Sequence, residues 1–203
     1  MKNQKSYVIK KRPFVTDESW NNVETVEVNC SPWKKYPCRY YTEAKLLYTE
    51  DAIYVNFKTT ETHLKAVHNK KNTAVSNDSC MEFFLSPDEN DTRYFNFEIN
   101  PLGVMLLYLC NGRGKYTHIE VSHKIFQIKS IITSEGWQLF YKVPFSFIME
   151  FFPNTIGNMR GNFYKCGEKT IHKHYGCWNF VETKKPEFHC PQYFGRLILD
   201  GYK

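Results

Sequence analysis

Long apolar runs, alanine, clustered charge and spaced metal motifs are all scarce in this sequence, and each shortage closes off a class of protein. The longest apolar run, 104–110, falls far short of the roughly 20 residues a helix needs to cross a bilayer, so no membrane partner is expected. Alanine stands only at Ala44, Ala52, Ala66 and Ala74, and segments of helical periodicity are few, which disfavours a helical bundle. The net charge is +6, but its lysines come in scattered pairs: Lys10 and Lys11, Lys34 and Lys35, Lys70 and Lys71, Lys184 and Lys185. Scattered pairs fit a solvated surface, so no nucleic-acid partner is expected. The opening MKNQKSYVIKKRPF has basic residues without the apolar stretch of a secretory signal. The cysteines Cys30, Cys38, Cys80, Cys110, Cys166, Cys177 and Cys190 are odd in number, so reduced thiols and a cytoplasmic location are expected. Cys166, His172, His174, Cys177, His189 and Cys190 crowd one span, yet neither CxxC nor HxxxH spacing occurs and strands would scatter them, so no metal ligand is assigned. No cysteine sits in an activated context, and no catalytic residue is assigned.

What the chain has in abundance is aromatic residues, 17% of the total, which favour strands. The organising stretch is 78–103, DSCMEFFLSPDENDTRYFNFEINPLG. In its first arm Ser79, Met81, Phe83 and Leu85 share one face of a strand, while Asp78, Cys80, Glu82 and Phe84 share the other. In its second arm Phe95, Phe97 and Ile99 oppose Tyr94, Asn96, Glu98 and Asn100. The turn formers of SPDENDT predict a hairpin, and antiparallel pairing would bring Glu82 near Asn96. A face offering carboxylates, amides and a ring suits a ligand covered in hydroxyls: carboxylates accept, amides donate and accept, and rings give an apolar platform.

Elsewhere, strands are predicted over 7–12, near 26–28, as a hairpin over 44–57, over 63–67 and over 104–110, the last placed centrally because both parities are apolar. A third hairpin spans 126–143, and PFSFIMEFF, between Pro144 and Pro153, is the one short helix. In 160–166, Arg160, Asn162, Tyr164 and Cys166 alternate with Gly161, Phe163 and Lys165; a terminal strand follows Gly195. The consistent architecture is all-β, an antiparallel jelly-roll-like β-sandwich with one short helix, as one domain over 1–203.

In order along the chain stand DSCMEFFLSP, YFNFEINPLG, GWQLFYKVPF, GNFYKCG, the HY and WN pairs after it, and KPEFHCPQYFG. Together, over about residues 20 to 200, they resemble the family-nine carbohydrate-binding modules, in the free-standing form named by analogy with xylanase appendages. The resemblance implies a sandwich that clamps a terminal sugar ring between two tryptophans, with Glu, Asn and basic side chains around it. By position Glu82 resembles the acidic sugar ligand, Asn96, Glu98 and Asn100 the adjacent polar strand, and Trp178 one wall of the clamp. Where xylanase-linked modules have a tryptophan before the acidic strand, this chain has AVSN at 74–77, leaving the second wall absent or supplied by Trp33 or Tyr94. Family members often hold structural calcium; no strict calcium-loop spacing occurs, and the turn Asp88, Glu89, Asn90, Asp91 is where oxygen ligands gather.

The expected function is binding of a mono- or oligosaccharide, xylan- or cellulose-derived, without turnover, in carbohydrate catabolism. Glu82, Asn96, Glu98 and Asn100 would bond hydroxyls, Arg160, Asn162, Tyr164 and Lys165 would complete the face, and Trp178 would stack on the ring. The alternative is a glycoside hydrolase using Glu82 and Glu98 as its acid pair. A haem-binding electron-transfer sandwich is the third possibility.

Overall fold

The computed structural model describes residues 4–153 and 158–202. Its strands are β1 (Ser6–Lys11), β2 (Val26–Glu27), β3 (Thr42–Tyr48), β4 (Ala52–Thr59), β5 (Ser79–Ser86), β6 (Tyr94–Ile99), β7 (Met105–Cys110), β8 (Tyr116–His118), β9 (Lys129–Thr133), β10 (Gly136–Pro144), β11 (Asn158–Gly167), β12 (His174–Cys177) and β13 (Gly195–Leu199); the helix α1 is Phe145–Phe151. Two layers result. The first has the order β8-β7-β6-β5-β11-β13-β1, with β12 beside β13 on the same edge of β11. The second runs β1-β3-β4-β10-β9, with β2 added to β3. Strand β1 belongs to both: Ser6–Ile9 pair with Arg196–Leu199 of β13, and Lys10 and Lys11 pair with Leu47 and Tyr48 of β3, both in parallel. All other ladders are antiparallel, so the sheet is mixed where sequence alone predicted antiparallel pairing throughout.

The alternation in the sequence builds the interior directly. Met81, Phe83 and Leu85 of β5, Phe95, Phe97 and Ile99 of β6 and Phe163 of β11 face Leu46, Val55, Phe57, Leu139 and Tyr141 of the second layer in one apolar cluster. Phe83 and Phe163 stack with centroids 4.5 Å apart, and the Gly161 position leaves no room for a side chain because a Cβ there would lie 2.6 Å from the Phe84 carbonyl. Helix α1 lays Phe145, Phe147 and Ile148 over the end of this cluster, as its nearly all-apolar sequence predicts. Among the described residues no helix is long and apolar enough to cross a membrane.

Four elements differ from expectation, one being the edge strand β8, since Tyr116–His118 lies outside every predicted strand. The 63–67 segment forms no strand; its backbone is tied to the start of β5 by Ser79 N to Lys65 O at 2.8 Å, Lys65 N to Ser79 Oγ at 3.1 Å and Val67 N to Asp78 Oδ2 at 3.0 Å. Strand β7 is next to the edge strand β8 rather than central, and loops cover the outward side chains that make it apolar on both parities. Short strand β12 falls in a passage without periodicity and was not predicted.

Inside the sandwich lies an ion pair with no exposure on either side. Lys165 Nζ of β11 is 2.8 Å from Glu61 Oε2, which follows β4. Each hydrogen of the ammonium has an acceptor: Glu61, the Cys166 carbonyl at 2.9 Å and His174 Nε2 at 3.1 Å. Burial, then the Lys165 charge, pushes the His174 pKa down to about 4, so its ring is the neutral acceptor, with Nδ1 donating to the His172 carbonyl at 2.7 Å. Glu61 also accepts from Ser79 Oγ at 2.9 Å and Trp137 Nε1 at 3.4 Å. Lys165→Met strands a buried carboxylate and is expected to cost about 3–5 kcal/mol in urea unfolding. Adding Glu61→Leu should recover at least half of that. A single variant within about 1 kcal/mol of the parent would show that the pair is not compensating buried charge.

Candidate functional site

The outward parity of the same strands builds the site. Cys80, Glu82 and Phe84 of β5 lie beside Tyr94, Asn96 and Glu98 of β6, and on the other side beside Asn162, Tyr164 and Cys166 of β11. The register pairs Glu82 with Glu98 and Phe84 with Asn96, two residues away from the pairing expected of the sequence. Loops roof much of this face. Trp33 from the 30–40 loop, Val75 from the short turn Val75–Asn77, and Phe188 and Phe194 from the chain after β12 pack onto it. The roof is open above the two glutamates, over a cavity of about 290 Å³ walled by Phe84, Tyr175, Phe188 and His189, with Glu168 and Glu187 at its edge. Phe188 lies flat on Tyr164, centroids 4.0 Å apart. One further hollow continues past Ser76, Glu98 and His189 to Tyr108 and Tyr116. Another leaves through Glu168, Tyr175 and Pro186.

The floor is electrostatically unusual, because Glu82 and Glu98 are 3% and 7% exposed and adjacent. Burial, then the charge of Glu98, drives the Glu82 pKa far above the usual carboxylate range. Burial raises Glu98 to about 7 against hydrogen bonding from Asn96 Nδ2, 2.8 Å from Oε1, and from Ser76. Both carboxyls are thus pushed toward their protonated forms, Glu82 by burial and its neighbour's charge and Glu98 by burial. Glu98 Oε2 and Asn96 Oδ1 are buried without a hydrogen-bond partner, two acceptors at the floor. The remaining acids are engaged: Glu168 accepts from the Tyr175 hydroxyl and from Lys173, and Glu187 pairs with Arg113 at 2.8 Å. His189 Nδ1 is 2.9 Å from the Tyr94 hydroxyl, and burial lowers its pKa.

Ligand atoms of Cys80, Glu82 and Glu98 lie within 4.8 Å of one another, so this floor, rather than any motif in the sequence, is where a divalent ion could be held by sulfur and oxygen. The acidic turn does not fit calcium. Asp91 is taken by Arg93 through bonds of 3.1, 3.1 and 2.7 Å, and Asp88 Oδ1 caps the Asn90 amide at 2.8 Å.

Of the residues singled out from the sequence, Glu82 and Glu98 line the cavity, with Asn96 bonded to Glu98. The others serve the scaffold. Asn100 binds the Asp78 carboxylate and the His68 carbonyl through Nδ2 while its Oδ1 accepts from the amides of Leu102 and Val104, closing the turn after β6. Asn162 ties Tyr164, Phe163 and Asn179 together and is fully buried. Tyr164 donates to the Phe188 carbonyl beneath the ring it supports. Arg160 donates to the carbonyls of Pro191 and Phe194, fastening the roof. Lys165 has the opposite parity and points into the interior ion pair. Trp178, expected as a stacking wall, belongs to the interior cluster and packs on Phe163 at 5.7 Å, because β12 returns the chain with that residue facing inward. Neither proposed second wall lines the cavity over the glutamates: Trp33 is wedged between Tyr175 and Phe188, and Tyr94 lies under His189. The aromatic rings that border the cleft and its continuation are instead Phe84, Tyr108, Tyr116, Tyr175 and Phe188.

Glu168, Tyr175, Glu187, Phe188 and His189 were missed. One signal was present: the parity Arg160, Asn162, Tyr164, Cys166 reaches Glu168 if carried one step past the strand. The rest come from a passage with no period.

A family model described as carbohydrate-binding family 9 matches residues 14–199. No curated protein matches the sequence significantly. A solved protein of Bacteroides uniformis ATCC 8492, provisionally described as carbohydrate-binding, is 27% identical, with TM-score 0.85 over 98% of this chain and 100% of its own. A carbohydrate binding module family 9 from Caldicellulosiruptor kristjanssonii, solved with glucose, superposes with TM-score 0.66 at 16% identity over 98% and 97% of the two chains. Its complex with cellotriose gives TM-score 0.66 at 15% identity, covering 98% and 95%.

The raised Glu98 pKa has a definite sign in stability. A carboxyl near its ordinary value when unfolded and near 7 when folded stabilises fully at low pH, and that contribution is lost as pH rises through about 7. His174 acts oppositely, losing its contribution as pH falls from its ordinary value through about 4. The comparison must therefore be made against a variant. In metal-free protein, Glu98→Gln should gain on the wild type by on the order of 2–3 kcal/mol between pH 5 and pH 8. A pH-independent difference in thermal unfolding would refute the raised pKa.

Proposed function

The chain belongs to carbohydrate-binding family 9, and from that premise we propose that it binds a mono- or oligosaccharide in the cleft over Glu82 and Glu98 without transforming it. What carries this is the floor: partnerless buried acceptors on Asn96 and Glu98, with a carboxyl on Glu82 that can donate, beneath the ring of Phe188. Sugar hydroxyls need donors and acceptors set close together, and sugar C–H faces need a ring. The floor supplies the first and Phe188 the second. Hydrolysis asks for acids on either side of the scissile bond, whereas Glu82 and Glu98 stand side by side on one sheet face. Xylan- and cellulose-derived fragments are the ligand class proposed, in the service of carbohydrate catabolism; the solved family-nine module with cellotriose supports the cellulose-derived part of that range. A cytoplasmic setting is proposed with it. The thiols of Cys80, Cys110, Cys166, Cys177 and Cys190 are buried and form no disulfide among the described residues, which fits a reducing compartment.

Titration calorimetry with glucose, xylose, cellotriose and xylotriose tests the proposal. Binding of at least one is expected, with Glu98→Gln weakening it about tenfold or more through loss of a charge-assisted acceptor. Phe188→Ala should weaken it by about 1–2 kcal/mol through loss of ring contact. Unchanged affinity in both variants would move the site elsewhere.

A further inference from the structure

Lys34 and Lys35 are remote in sequence from Lys184 and Lys185, and each pair alone suits a solvated surface. In the fold all four line one hollow of about 630 Å³, together with Arg113 and Lys173. The hollow opens from the cleft through Glu168, Tyr175 and Pro186, which line both.

The convergence is held by buried structure. Trp33, immediately before the first pair, donates from Nε1 to the Thr183 carbonyl at 3.1 Å and hydroxyl at 3.2 Å. Thr183, immediately before the second pair, donates from Oγ1 to the Lys185 carbonyl at 2.9 Å. The Trp33 ring packs on Tyr175 at 5.8 Å and Phe188 at 5.7 Å, two walls of the cleft. Backbone bonds from Tyr36 N to Trp33 O at 2.9 Å and from Tyr175 N to Tyr36 O at 3.1 Å fix the first loop to β12. One tryptophan thus sets both lysine pairs against the cleft wall.

The charges there are unbalanced. Lys173 is answered by Glu168 and Arg113 by Glu187. Lys34, Lys35, Lys184 and Lys185 have no ion-pair partner among the described residues. Like charges gathered in a concavity focus a positive potential that attracts an anion. The floor beyond presents the carboxyls of Glu82 and Glu98, which offer an anion no counter-charge. The cleft is therefore polarised along its length.

We propose that its ligand is an oligosaccharide bearing an anionic substituent, with a neutral ring over Glu82 and Glu98 and the charged group among Lys34, Lys35, Lys184 and Lys185. This rests on the sugar-binding function proposed above. A uronate carboxylate and a sulfate ester share the necessary chemistry, since ammonium groups meet either as point charges.

The test is calorimetry with three oligosaccharides of equal length: a neutral xylo-oligosaccharide, the same backbone bearing glucuronic acid, and a sulfated one, each at low salt and at about 0.5 M salt. One anionic ligand should bind about tenfold tighter than the neutral one at low salt, and the tighter of the two identifies the anion. The gap should close at high salt. It should also close in the quadruple variant K34A/K35A/K184A/K185A, whose exposed positions leave the unfolding temperature and the neutral affinity unchanged. Equal affinities for neutral and anionic ligands would overturn this proposal while sugar binding stood, and binding of none would overturn both. Binding of a single-stranded oligonucleotide in preference to all three would overturn it in favour of nucleic acid.

Discussion

The Lys165–Glu61 pair joins the two layers, and much of the architecture follows from having to accommodate it. Lys165 belongs to the first layer and Glu61 extends from the second; around them Ser79 of β5 and Trp137 of β10 donate to Glu61, and His174 of β12 accepts from Lys165. Two charges withdrawn from water are tolerated only if every remaining donor and acceptor is met. That requirement explains several features at once. The short strand β12 must return to place His174, Ser79 must face inward at the start of an apolar strand, and a tryptophan rather than a phenylalanine suits position 137. The same ladder that sends Lys165 inward sends Tyr164 and Cys166 outward, so the interior pair sets the side of the sheet on which the cleft floor is built.

On that outer side the problem is reversed. Glu82 and Glu98 are neighbours across one ladder, both shielded from water, with no cation among the cavity-lining residues in contact with them. Protonation relieves the repulsion, and a polyol that donates to one carboxyl and accepts from the other relieves it as well. The roof loops complete the arrangement. Arg160 and Asn162 fasten the 178–194 passage, Tyr164 supports Phe188 from below, and the ring that borders the cleft is held flat. Residues expected to touch a ligand instead hold those that border it.

Alternation made the faces of β5, β6 and β11 legible, and hence the core phenylalanines, the two glutamates and the sandwich itself. Alternation carries no information about register. The pairing of Glu82 with Glu98 rather than Asn96 depends on the length of the 87–93 turn, which residue type does not set. Nor does it reveal roofs: Glu187, Phe188 and His189 come from an aperiodic passage whose path is fixed by long-range bonds to Arg160, Tyr164 and Tyr94. Trp178 was assigned from resemblance. Its fate was decided by one residue of parity, since the outward Cys177 precedes it and the ring falls inside. Lys165 was misplaced despite legible parity, because a lysine on the inner face reads as an exception until Glu61 is found opposite.

Strand β1 has a consequence for how the chain reaches this state. Its first half lies against β13 and its second half against β3, and Lys10 reaches Asp200 across a sequence separation of 190. Closing so wide a loop is entropically costly and slow. During synthesis, therefore, the β3–β4 hairpin can form early, but the seam between the layers stays open until Gly195–Leu199 has left the ribosome. Until then the flank of β11 that β13 will cover is an unpaired sheet margin, the place where a nascent copy would most readily capture a neighbour.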